Sequence, residues 1–126
     1  MQTVADILGS KGRELWSVRP TDTVLEALRV MAEHDIGAVA VLDDDGGLAG
    51  MITDGDVRRA FARDVTTLTA ADMMSPHPIT VSPDARMSDA IDLLAANKIG
   101  NLFVVEAGRP IAIIHIAELI QAGYVA

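Results

Sequence analysis

One unit occurs twice along this chain. WSVRPTDTVLEALRVMAEHDIGAVAVLDDDG aligns with ITVSPDARMSDAIDLLAANKIGNLFVVEAG. Val18 falls on Val81, Pro20 on Pro83, Ala27 on Ala90, Ile36 on Ile99, Gly37 on Gly100 and Val41 on Val104, all at one offset. After the turn at Asp43 to Gly47 the offset shortens by one residue, which sets Ile52 on Ile114. The lead-ins also match, VADIL at 4–8 against AADMM at 70–74. With 126 residues in all, neither half buries enough surface alone, so the halves are expected to pack together and share a core.

Each copy reads alike. A short extended stretch ends at a proline, and a helix follows from Val24 or Met87, with Leu25, Leu28 and Ala32, then Ala90, Ile91 and Leu94, at helical spacing as the expected buried faces. Two strands come next, 38–42 with 48–52 and 102–105 with 111–114, joined by acid- and glycine-rich turns as hairpins. A last helix starts near Asp54 and near Ala117, with Val57, Ala60 and Phe61, then Leu119 and Ile120, as apolar contacts. Strands such as AVAVL and IAII are apolar on both faces, as in covered sheets. The predicted fold is therefore α/β of the α+β kind: two β-α-β-β-α repeats, 1–64 and 65–126, packed about a pseudo-twofold axis. The DVTTLT stretch at 64–69 is the expected linker.

Hydrophobic residues make up 50% of the chain and aromatics only 3%, which points to an aliphatic core of Ala, Val, Ile, Leu and Met. The methionines at 31, 51, 73, 74 and 87 read as core filler. No apolar run is long enough to span a bilayer and the first residues lack the order of a signal peptide, so a cytoplasmic location without membrane insertion is expected. A net charge of −8, with no large cluster of Lys or Arg, argues against nucleic acid as a partner. With no cysteine there is no disulfide framework and no thiolate nucleophile. His34, His77 and His115 are far apart in sequence and form no zinc-binding spacing; neither a nucleophile elbow nor a phosphate-binding loop of the G-x-x-x-x-G-K type occurs. The acidic run at 43–45 reads as a solvated turn. No feature points to catalysis, and no metal site or obligatory cofactor is expected.

The SVRP and TVSP stretches, the two IG dipeptides, the Asp/Gly hairpins and the GMITDGDVRR segment, in that order, resemble the CBS domain, and the pair resembles a Bateman module. TDGDVRRAF and IIHIAELIQAG are in addition similar to the CBS pair appended to arabinose-5-phosphate isomerases. The resemblance implies a non-catalytic regulatory module, usually a homodimer, that binds AMP, ADP, ATP or a related adenosyl ligand such as NAD or S-adenosylmethionine. A regulated enzyme or transporter is the implied partner.

Thr53-Asp54-Gly55-Asp56 stands where a strand ends and a helix begins, where free N–H groups and the positive helix end favour phosphate. The family resemblance carries ribose binding onto Asp56 and a hydroxyl contact onto Thr53, with Gly55 leaving room. The same spacing is a helix cap, as it is for Thr23 with Glu26 and Thr69 with Asp72, and the two roles are compatible. Ile36, Gly37 and Ala38, and in the second copy Gly100 and Asn101, stand where the family's backbone meets adenine; Ile36 reads equally as core and Gly37 as a helix terminator. Ser17 and Thr80 offer hydroxyls. Of Arg58 and Arg59, one is expected to face phosphate and the other solvent. The second copy has His115 and Glu118 in place of Thr53 and Asp56, which implies one strong site and one weak or altered one. Trp16, the sole tryptophan, borders the expected cleft or a dimer interface. Two other readings remain: a ligand-free dimerisation module, and the regulatory fragment of a sugar-phosphate isomerase that responds to a sugar nucleotide.

Overall fold

The computed structural model describes residues 2–11 and 15–124, and two compact units divide the chain. One unit contains residues 15–78, the other joins 1–14 to 79–126. The first helix, α1 (Val4–Lys11), therefore belongs with the second repeat. The boundaries 1–64 and 65–126 describe the repetition in the sequence; the compact units follow contacts, and each lead-in packs with the other copy's sheet.

In the unit of residues 15–78, β1 (Ser17–Val18) runs parallel to β2 (Ala38–Leu42), which pairs antiparallel with β3 (Leu48–Thr53), and β3 pairs antiparallel with β4 (Ser75–Pro76). The register sets Ala38 opposite Thr53 and Val41 opposite Gly50. α2 (Val24–His34) begins on Thr23, whose hydroxyl accepts the Glu26 N–H at 3.1 Å. It ends on Asp35, which takes the left-handed conformation at φ 51°. Val39, Val41 and Ile52 form the buried cluster with Ala27 and Met31 of α2, Val57 of α3 (Asp54–Ala60) and Ala70 of α4 (Ala70–Met73).

The buried stripe of α2 differs from the expected one. Val24, Ala27 and Met31 face inward, while Leu25 and Ala32 are exposed and Leu28 is half-buried. Both stripes have helical spacing, and they lie one residue apart around the helix, so periodicity alone does not choose between them. Phe61, 61% exposed, and Ile120, 48% exposed, are likewise surface residues rather than core contacts. The 64–69 stretch is no free linker: Leu68 is buried with Val24 and Ala60, and its carbonyl accepts the Val24 N–H.

The other unit has a sheet of order β5-β6-β7, made of β5 (Thr80–Val81), β6 (Asn101–Glu106) and β7 (Arg109–His115). α5 (Met87–Asn97) and α6 (Ile116–Gln121) complete the repeat. Ala107 and Gly108, both at positive φ, close the β6-β7 hairpin as a two-residue turn. The first-copy turn is longer, and the Asp43 carboxylate organises it by accepting the N–H groups of Asp45 and Gly47. Val4, Ile7 and Leu8 of α1 join Met87, Leu94, Leu102 and Ile114 in a separate buried cluster. Each unit thus has its own core. No described helix is long and apolar enough to cross a membrane.

Candidate functional site

At the end of β3 the chain turns into α3 through a reciprocal cap. Thr53 Oγ1 accepts the Asp56 N–H at 3.3 Å, and Asp56 Oδ2 accepts the Thr53 N–H at 2.9 Å and its hydroxyl at 3.1 Å. Asp56 is only 3% exposed, a burial that a carboxylate tolerates when its oxygens are satisfied. Here they are: Ser75 Oγ of β4 donates to it at 3.2 Å, and the Arg59 guanidinium pairs with Oδ1. The capping reading of Thr53 and Asp56 is thus present as geometry. Ser75 stands 19 residues from Asp56, and no pattern in the sequence connects them.

Gly55 is the residue of this corner without a side chain. A Cβ placed on it would lie 3.4 Å from Arg59 Nη1, 3.6 Å from Thr53 Oγ1 and 3.9 Å from Arg58 Nη2. These distances bring guanidinium nitrogens of both arginines to Gly55. Arg58 and Arg59 are three and four residues beyond Gly55, and side chains in a helix lean toward its N-terminus, so both long arms reach back over the same turn. The result is a glycine with two exposed guanidinium-bearing residues around it, a pair of cations suited to an anionic oxygen, while the Thr53 hydroxyl proton is already given to Asp56.

The IG segment supports the corner from β2. Asp35, not Gly37, terminates α2, so the reading of Gly37 as the helix terminator is corrected. The Gly37 carbonyl instead accepts the Asp54 N–H at 3.2 Å, and in the second copy the Gly100 carbonyl accepts the Ile116 N–H at 2.9 Å. The equivalent bond in both copies joins the start of one hairpin strand to the helix after the other. Ile36 is half-buried against the core, and Ala38 is buried on β2 with Thr53 as its cross-strand partner. Ser17 and Thr80 are exposed on β1 and β5.

In the second copy the corner is rebuilt with different groups. His115 Nδ1 accepts the Ala117 N–H at 3.1 Å, and Glu118 Oε1 accepts the His115 N–H at 3.0 Å. Asn101 is the cross-strand partner of His115. The imidazole therefore serves as the cap that Thr53 provides in the first copy. Another contact went unread in the sequence: the Trp16 and His34 rings stack with centroids 3.5 Å apart and planes 8° from parallel, joining the entry to β1 with the end of α2. Among the described residues no cluster of His, Cys, Asp and Glu could hold a metal ion.

Two hairpin-and-helix repeats, each with a strand-to-helix corner of this kind, define an α/β protein built from a tandem pair. The CBS domain family model matches residues 4–63 and 70–124, and the chain belongs to that family. Arabinose 5-phosphate isomerase of Pseudomonas aeruginosa is 40% identical over 100 residues, which is 77% of this chain and 31% of the isomerase. The chain spans about a third of the length of the curated relatives it matches. Among solved structures, a CBS-domain containing protein from Agrobacterium tumefaciens superposes with a TM-score of 0.87 at 27% identity, over 95% of this chain and 92% of that one. CBSX2 in complex with AMP superposes with a TM-score of 0.82 at 27% identity, over 98% and 97%.

Proposed function

We propose that this CBS pair is a non-catalytic cytoplasmic sensor that binds an adenine nucleotide and passes the binding on as a change in the geometry of its repeats or of a homodimer. The observation that carries the reading is the Gly55 corner, where Thr53 and the two arginines surround a surface without a side chain. AMP in the related CBSX2 structure supports the choice of ligand class, in which ADP, ATP, NAD and S-adenosylmethionine also fall. In this reading the phosphate meets Arg58 and Arg59 beside Thr53. A ribose diol displaces Arg59 from Asp56 and takes over the carboxylate, and the freed guanidinium turns to the phosphate. Ligand shifts the module only by the difference in its affinity for the two arrangements.

Titration calorimetry on protein refolded free of co-purified ligand tests this, with AMP, ATP, NAD, S-adenosylmethionine and a CMP-sugar as ligands. Arg58→Ala is the informative variant, because Asp56→Ala also removes the cap, the Ser75 bond and the partner of Arg59. AMP affinity is expected to fall about tenfold or more in Arg58→Ala, the scale of a lost charge-assisted hydrogen bond, with adenosine hardly affected. Silence from every ligand in the folded protein would favour the ligand-free interaction module instead. The 40% identity to an isomerase favours a second reading, the regulatory segment of a sugar-phosphate isomerase that answers to a sugar nucleotide. Displacement of the CMP-sugar by AMP, or its failure, separates the two.

A further inference from the structure

We propose, resting on the nucleotide reading, that Ser75 forms half of a ribose-diol subsite: one hydroxyl of the diol donates to Asp56 Oδ1 and the other to Ser75 Oγ. Asp56 alone has too few open positions to accept both. A carboxylate offers about four lone pairs, two on each oxygen. Oδ2 accepts the N–H and the hydroxyl of Thr53 at 2.9 and 3.1 Å, and both bonds belong to the cap that starts α3. Oδ1 accepts the Arg59 guanidinium and, at 3.2 Å, the Ser75 hydroxyl.

Arg59 is the replaceable partner. Its side chain is 66% exposed while that of Asp56 is 3% exposed, so the way from solvent to the buried carboxylate ends at Oδ1. A ligand that displaces Arg59 opens one position there, and a diol brings two donors. The Ser75 oxygen supplies the second acceptor. Its only proton goes to Asp56, and among the described residues no donor reaches its own lone pairs. At 3.2 Å from Oδ1, it stands close enough for the two oxygens of a vicinal diol to address both atoms. β4 holds it there by pairing with β3, Ser75 opposite Met51. The same position in the other lead-in is Gly9, within α1, which has no hydroxyl to offer. The subsite therefore belongs to the first repeat.

Calorimetric titration of the whole chain and of Ser75→Ala with AMP, 2′-deoxy-AMP and 3′-deoxy-AMP tests this. Each deoxy analogue is expected to bind the native chain about tenfold more weakly than AMP, the scale of one lost hydrogen bond. Ser75→Ala should weaken AMP by about the same factor. It should leave unchanged the analogue that lacks the hydroxyl accepted by Ser75, and weaken the other analogue together with AMP. Ser75→Cys, with a weak donor and a poor acceptor in nearly the same volume, should repeat this pattern if the alanine variant does not fold. Ser75→Thr keeps the hydroxyl and should behave as the native chain does. Weakening of all three ligands by one common factor would assign Ser75 to holding the carboxylate alone, and unchanged AMP affinity would remove it from the site; either result overturns the proposal. Absence of AMP binding to the folded native chain would instead overturn the nucleotide reading, and the subsite with it.

Discussion

Gly50 is buried on β3, and a methyl group on it would lie 2.5 Å from Met74 Sδ and 2.9 Å from the Ser75 carbonyl oxygen. The thioether is flexible and can swing away, but the carbonyl belongs to the backbone of β4, which pairs Pro76 with Gly50. Gly50→Ala is therefore expected to destabilise by about 2 kcal/mol, as overpacking of a well-packed site does, measured by urea denaturation. Adding Met74→Ala should leave most of that loss in place; full recovery would show that sulfur rather than the strand pairing sets the close approach. The same corner shows what single residues disclose in a sequence. Thr53 and Asp56 are three apart, so their reciprocal cap was legible, whereas Ser75, which satisfies the same carboxylate, reaches it through strand pairing across 19 residues. The two arginines over Gly55 were legible in position but not in direction, because their convergence depends on how long side chains lean along the helix.

The elements themselves follow the hydropathy pattern closely where strands are concerned. AVAVL has nowhere to be placed except in a covered sheet, and the hairpin partners fall where the repeat predicts them. Helix faces are less legible, since α2 has two adjacent apolar stripes and only the shape of the sheet beneath selects Val24, Ala27 and Met31. Short α4 depends most on its end. Its Thr69 N–H and hydroxyl interact with Asp72, which with the nearby Arg63 charge hold that carboxyl below its usual range, the backbone N–H of Thr69 contributing most. A depressed carboxyl stabilises the fold above its unfolded-state value and loses that contribution as pH falls through its lower folded-state value. The native chain should therefore lose thermal stability in the acid region below about pH 4, the ordinary Asp range. Asp72→Asn should lower Tm at neutral pH and flatten that acid limb. An acid limb as steep in the variant as in the native chain would mean that other carboxyls, Asp64 with its Thr66 hydrogen bonds among them, account for it.

At the scale of the whole molecule, the repeat suggests two contiguous halves, and contacts assign the lead-ins the other way. VADIL and AADMM carry the same pattern of apolar positions, and such a pattern announces that a helix has a face to bury without saying which core receives it. The backbone supplies the answer: the Val4 and Ala5 N–H groups bond to the carbonyls of Ala85 and Pro83, and Val4, Ile7 and Leu8 are buried among side chains of the second repeat. A change in α1 should thus act at a distance along the chain. Truncating two buried aliphatic side chains costs about 4 kcal/mol or more, a large part of the 5–15 kcal/mol that holds an ordinary domain. In the double variant Ile7→Ala, Leu8→Ala, hydrogen exchange followed by mass spectrometry should show faster exchange across β6, β7 and α5, far from the substitutions in sequence. β2, β3 and α2, which are nearer to α1 in sequence, should keep most of their protection. The opposite distribution would assign α1 to the first repeat, and the contiguous boundary at residue 64 would then describe the folded units as well as the repeated sequence.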